Sequence, residues 1–133
     1  MGMYTELDFH VRLVEETPEE VINLLRYMVG DTGNSPLDLP DHPLFSTHRW
    51  SMMCRGGSYY FPADPRAYLR YDKIADQYFL GVRSNLKNYD HEIALFVDWI
   101  MPYVDACIGE YLGYMMYEED ATPSVIFKEG RED

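Results

Sequence analysis

Residues 6–29 read Glu-Leu-Asp-Phe-His-Val-Arg-Leu-Val-Glu-Glu-Thr-Pro-Glu-Glu-Val-Ile-Asn-Leu-Leu-Arg-Tyr-Met-Val, and a change of period inside this stretch decides the fold class. Leu7, Phe9, Val11 and Leu13 alternate with Glu6, Asp8, His10 and Arg12. A period of two describes a strand with one buried and one wet face. From Val21 the apolar residues Val21, Ile22, Leu24, Leu25, Met28 and Val29 instead fall at helical spacing, and Gly30 is placed to stop the helix in a left-handed conformation. Between the two, Thr17-Pro18-Glu19-Glu20 predicts a capping box, with Pro18 at the first helical position. A half-buried strand followed by an amphipathic helix is the opening of an α+β domain.

Working outward, residues 31–48 contain three prolines and no period, as a long loop would. Strands are predicted at Trp50 to Cys54 and Ser58 to Phe61 around Gly56-Gly57, then at Ala67 to Tyr71 and Tyr78 to Leu86. Asn88 or Asp90 caps a second helix whose buried stripe is Ile93, Phe96, Val97, Ile100 and Val104. Pro102 predicts a kink or an early end to it. Tyr111 to Tyr117 and Ser124 to Lys128 form strands around the turn Glu118-Glu119-Asp120, and 129–133 is a charged tail. The series over 4–71 thus recurs over 78–128, which predicts pseudo-duplicated β-α-β-β units within a single domain, 1–133. The expected architecture is a mainly antiparallel sheet with two helices on one face.

This order is similar to proteins with tandem strand-helix-strand-strand modules, such as the GyrI-like family, and implies a fold that binds small molecules or protein partners. A second resemblance rests on Thr17-Pro18-Glu19-Glu20-Val21-Ile22, Asn85-Leu86-Lys87-Asn88-Tyr89 and Leu112-Gly113-Tyr114. These stretches resemble small proteins of bacteriophages and mobile elements, and imply a phage-encoded accessory role.

A chain of 133 residues is long enough to bury roughly two-thirds of its unfolded surface in one core. No apolar run reaches the ~20 residues of a membrane-spanning helix, and no secretory leader is expected at the N-terminus. Two cysteines in no metal or redox spacing fit a reducing cytoplasm. Net charge is −12, which disfavours direct contact with nucleic acid or anionic membrane and favours basic partners. The charge is uneven. Residues 49–87 hold seven bases and three acids, a surplus of +4 that leaves −16 for the remainder.

Two sets of residues carry the functional expectations. In the first, Tyr114, Tyr117, Glu118, Glu119 and Asp120 form an acidic, aromatic surface of a non-enzymatic protein-binding protein. Such a protein would block a basic, nucleic-acid-binding surface on a partner, for example as a phage anti-defence inhibitor. In the second, Arg49, Arg55, Arg66, Arg70 and Tyr68 grip an anionic or nucleotide-like small ligand by bidentate contacts and stacking. No catalytic residue, metal site or cofactor is assigned. His42, His48 and Cys54 match no zinc spacing. A nucleophilic Cys54 has only Arg55 beside it in sequence to lower its thiol pKa.

Overall fold

The computed structural model describes residues 4–33, 38–47, 50–54, 66–88 and 91–129. Seven principal elements follow in order: β1 (Thr5–Arg12), α1 (Glu19–Val29), β2 (Arg66–Asp72), β3 (Gln77–Leu86), α2 (Glu92–Ile100), β4 (Tyr111–Tyr117) and β5 (Ser124–Phe127). The five strands form one antiparallel sheet in the order β2-β3-β1-β4-β5. Without β5, this is the split β-α-β arrangement of ferredoxin-like domains. Among the described residues no helix is long and apolar enough to cross a membrane.

Register sorts the side chains. Leu7, Phe9 and Val11 stand opposite Ser84, Val82 and Leu80, and those in turn stand beside Ala67 and Leu69. Opposed residues of an antiparallel pair share a face, so these side chains form the floor of the core. Both helices lie on that face. Phe96 of α2 meets Phe9 edge-on, with centroids 6.1 Å apart. From α1, Arg26 Nη2 donates to the hydroxyl of Tyr78, two residues along from Leu80, at 2.9 Å. Leu24, Leu25, Met28, Ile93, Phe96 and Ile100 are all buried between helices and sheet.

The helix ends show local corrections. No capping box forms at α1: Thr17 donates its hydroxyl to Val14 O at 2.6 Å, and Pro18 takes the cap position without a side-chain bond. The hydroxyl is committed to the preceding turn, so the backbone O of Pro18 receives Val21 and Ile22 instead. Gly30 does end α1 in the left-handed region, at φ 92°. At α2 the cap position falls not on Asn88 but on His91, in the left-handed region at φ 58° and without a side-chain bond. Asn88, three residues earlier, still serves the first turn, its Oδ1 accepting from Ile93 N at 3.0 Å, and Asp90 lies outside the described residues. Pro102 produces the early end: α2 stops at Ile100 and a single 3₁₀ turn, Met101–Tyr103, follows. Val97 is half-buried rather than part of the buried stripe, and Val104 lies beyond the helix, in a bridge to Leu13.

The strand expected at Trp50 to Cys54 is instead a 3₁₀ turn, Trp50–Met52, running into a further turn at Met53 and Cys54. Tertiary packing decides this. The Trp50 ring lies 5.9 Å from Tyr27 and 5.2 Å from Phe45, while Met53 and Cys54 are fully buried and Met53 O accepts from Ser84 Oγ at 2.7 Å. Packed this way the segment plugs one end of the core and joins no ladder. The strand expected at Ser58 to Phe61 lies outside the described residues. The second half reads β3-α2-β4-β5 as anticipated, but the first returns from its helix with only β2 before β3 begins. Duplication of a full β-α-β-β unit is therefore not seen among the described residues. A third 3₁₀ turn, Pro43–Ser46, is tied to α2 through His42, whose Nδ1 accepts from Leu44 N and whose Nε2 lies 2.8 Å from Asp98 Oδ2.

Candidate binding surface on the open sheet face

The face of the sheet turned away from the helices is polar and aromatic because each strand alternates. Along β2, Arg66, Tyr68 and Arg70 are exposed and Ala67 and Leu69 are less so. Pairing then sets Arg66 opposite Arg83, Tyr68 opposite Gly81, and Arg70 opposite Phe79. One strand further in, Arg83 faces Asp8, Gly81 faces His10, and Phe79 faces Arg12. Beyond β1, Asp8 stands opposite Tyr114.

Three of the arginine-tyrosine set expected from sequence, Arg66, Tyr68 and Arg70, therefore share this surface; Arg49 and Arg55 lie outside the described residues. The structure adds His10, Arg12, Phe79 and Arg83. Their strands were readable, and alternation already placed His10 and Arg12 on the wet side of β1. What sequence did not supply was the register that sets β1 two places from β2.

A polar chain crosses the middle of this face. Asp8 receives Arg83 Nη2 on one oxygen at 2.6 Å and lies 2.8 Å from His10 Nδ1 through the other. The hydrogen bond to Asp8, and then its charge, raise the Arg83 pKa further above its ordinary value. Tyr114 donates its hydroxyl to Glu6 Oε1 at 2.8 Å. Burial first, and then that bond, push the phenol up to about 12.

Beside this chain lies the aromatic part. The Tyr68 ring lies flat over Gly81, so close that a Cβ on Gly81 would come within 2.4 Å of the ring. A glycine opposite an aromatic residue in a sheet gives the ring a flat seat. Arg70 spans two rings, its guanidinium carbon 5.7 Å from the Tyr68 centroid and 5.8 Å from that of Phe79. Such contacts orient a guanidinium without neutralising it. No carboxylate among the described residues pairs with Arg12, Arg66 or Arg70.

At the C-terminal end of β1 the segment following α2 rises as a wall, held by Asp105 N donating to Arg12 O at 2.8 Å. Between wall and sheet is a hollow of about 230 Å³, lined among others by His10, Arg12, Tyr68, Phe79, Asp105 and Glu110. Both acids are held in place by neutral donors and keep their charge: Asp105 accepts from Gln77 Nε2, and Glu110 Oε1 accepts from Cys107 N. Arg12 is the one arginine in the lining and forms no ion pair among the described residues.

The acidic set is arranged differently. Glu118, Glu119 and Asp120 turn the chain between β4 and β5, as expected. Glu118 Oε2 accepts from Tyr4 N at 3.0 Å while its own N–H donates to Tyr4 O. Asp120 Oδ2 accepts from Tyr117 N, and Asp120 N donates back to Tyr117 O. Two of these three carboxylates, Glu118 and Asp120, thus hold the hairpin; Glu119 and Asp120 are exposed and Glu118 is half-buried. Tyr114 points to the open face and Tyr117, three residues on, to the helix side, so the five residues do not form one surface.

Cys54 is fully buried and Cys107 exposed, both as free thiols. Among the described residues no three His, Cys, Asp or Glu side chains converge as metal ligands would. Comparison with protein families, curated proteins and solved structures found no match.

Proposed function

We propose that the protein binds a small anionic molecule bearing a planar ring, nucleotide-like in its chemistry, on the open face of the sheet. The observation that carries this reading is a hollow lined by Arg12, Tyr68 and Phe79, with Arg70 over both rings and Arg66 further along the same face, none of the three arginines paired with a carboxylate among the described residues. Arginines supply bidentate contacts to a phosphate or carboxylate, and the aromatic rings supply stacking area. The hollow is below the ~300–1,000 Å³ of sites that enclose a whole drug-sized ligand. It therefore takes one ring or one phosphoryl group, with the rest of the molecule lying along β2 and β3. A net charge of −12 opposes a long polyanion, so the ligand is a monomeric species; the free thiols of Cys54 and Cys107 fit a reducing, cytoplasmic setting.

Isothermal titration with nucleoside monophosphates tests this directly. Wild-type protein should bind at least one of them at about millimolar concentration or below, and Arg12→Ala and Arg70→Ala should each weaken it about tenfold without altering the melting temperature. Absence of heat from every nucleoside monophosphate and from inorganic phosphate would end the proposal.

A second reading, that of an inhibitor occupying a basic surface on another protein, such as a host nuclease met by a phage-encoded product, draws on the acidic surplus outside 49–87 and on the exposed Glu119. Because Glu118 and Asp120 hold the turn, charge reversal at Glu119 alone is the variant that tests it. It should weaken capture of the basic partner while leaving the melting temperature unchanged, and unchanged capture would count against it.

A further inference from the structure

We propose that the outer edge of β5 receives an extended segment of another protein as a sixth strand, and that this segment alternates apolar residues with lysine or arginine. The proposal is independent of the ligand on the open face and gives the second reading a location and a partner chemistry.

Three observations point to it. First, β5 ends the sheet, and no described residue pairs with its outer edge. Lys128 N donates to Glu110 O and Lys128 O accepts from Gly109 N, so Lys128 pairs inward. By the alternation of an antiparallel ladder, Ile126 also pairs inward, and Val125 and Phe127 turn their N–H and C=O groups outward. No partner for those outward groups is found among the described residues.

Second, this edge lacks the usual protection. The opposite edge, β2, carries Arg66, Arg70 and Asp72, charges that obstruct strand pairing. In contrast, β5 reads Ser-Val-Ile-Phe, with Val125 and Phe127 about half exposed (55% and 50%). The neighbouring Lys128 is turned away, its Nζ donating to Met101 O at 2.8 Å.

Third, a groove of about 380 Å³ lies alongside that edge on the helix side, where α2 overhangs the sheet. Ala94, Val97 and Met101 form one wall and Met115 and Ile126 the floor. A strand added ~4.8 Å beyond β5 would drop every second side chain into this groove. That fixes the apolar half of the pattern.

Charge fixes the other half and the identity of the occupant. Asp98, whose side chain is 76% exposed, and Glu129 line the same groove. Glu119 is exposed on the hairpin that leads into β5. A second copy of this chain would bring the same acids against these on a molecule of charge −12, and like charges in apposition cost several kcal/mol. A cationic segment meets no such penalty.

The test uses fluorescein-labelled nine-residue peptides in which valine or isoleucine alternates with lysine and arginine, or with glutamate and aspartate. Fluorescence anisotropy should show binding of the basic series and not of the acidic series. Val125→Pro removes an outward N–H that β4 does not use and should weaken the basic peptides about tenfold or more. Ala94→Arg, on an exposed helix position, fills the groove and should weaken them similarly, which covers the case of a proline variant that folds poorly. Amide exchange at Val125 and Phe127 should slow on peptide addition. Equal binding of both series, no binding of the basic series at millimolar concentration, or no effect of Ala94→Arg would each overturn the proposal. So would concentration-dependent self-association abolished by Val125→Pro, which would make a second copy the occupant. Val125→Pro should leave nucleoside monophosphate binding unchanged, so failure at this edge and failure on the open face are read separately.

Discussion

Two glycines of the sheet receive the same methyl group very differently, and Gly113→Ala is the sharper case. Gly113 stands opposite Phe9 in the β1–β4 pair. A Cβ placed there would lie 2.0 Å from Asp8 O and 2.9 Å from Phe9 Cα, where ordinary contact begins at 3.4 Å. The obstacle is backbone of the central strand, which cannot rotate away, so β1 and β4 must part locally by about 1.4 Å. An N–H···O bond of ~2.9 Å stretched by that amount lies well outside hydrogen-bonding range. Losing two to four ladder bonds at about 1 kcal/mol each gives a destabilisation of roughly 2–4 kcal/mol. For a domain of this size each kcal/mol moves Tm by about 3–5 °C, so calorimetry should show a fall of roughly 6–20 °C. At Gly81, by comparison, the obstacle is the end of the Tyr68 side chain. There alanine should lift the ring at a cost of no more than about 1 kcal/mol while removing its seat in the proposed ligand surface. A Gly113→Ala protein melting within about 2 °C of wild type would refute the close approach of β1 and β4 on which the sheet assignment depends, and a Gly81→Ala protein falling as far as Gly113→Ala should would refute the reading that only the Tyr68 ring stands in the way there.

Further outcomes follow from single contacts. Tyr114, with its phenol pushed up to about 12 against an ordinary 10.0, should give a late step in an ultraviolet titration that Tyr114→Phe removes. Its raised pKa means the folded state holds this proton more tightly, so the associated stability is complete below pH ~10 and is lost as pH climbs through about 12. Asn88→Ala leaves Ile93 N without its side-chain acceptor and should cost about 1 kcal/mol in urea denaturation, whereas Asn88→Asp should retain most of it. Asp8→Asn weakens contacts to both Arg83 and His10; with Arg83 partly exposed the expected loss is about 1 kcal/mol, accompanied by tighter binding of phosphate as Arg83 is freed.

Strictly periodic segments announced themselves. The alternation of β1, the helical spacing of α1 and the polar breaks within both later hairpins fixed five strands' worth of pattern and the face each residue takes. Trp50 to Cys54 failed because a short apolar run carries no period of its own. Its conformation is set by Tyr27, Phe45 and Ser84, residues far from it in sequence. Thr17 failed for a local reason, since a hydroxyl able to cap a helix is equally able to reach Val14 O. The binding surface was half legible. Arg66, Tyr68 and Arg70 share a face by alternation within one strand, but Arg12, His10 and Arg83 join them only through cross-strand register. The acidic turn was read correctly as a turn, and for that reason two of its carboxylates serve the backbone.

The position of β1 bears on how this chain comes to be folded at all. The earliest strand occupies the middle of the sheet, and its two neighbours, β3 and β4, are supplied late: Thr5 aligns with Leu86 on one side and Tyr117 on the other. Until β4 has been synthesised, β1 offers an unfilled side flanked by Leu7 and Phe9, a template for any passing strand. Closure of such distant pairs is slow relative to helix formation. Production of this protein should therefore depend on the interval between the emergence of β1 and that of β4. Rare codons or pauses placed within residues 87–110 should lower soluble yield more than the same pauses placed after residue 117.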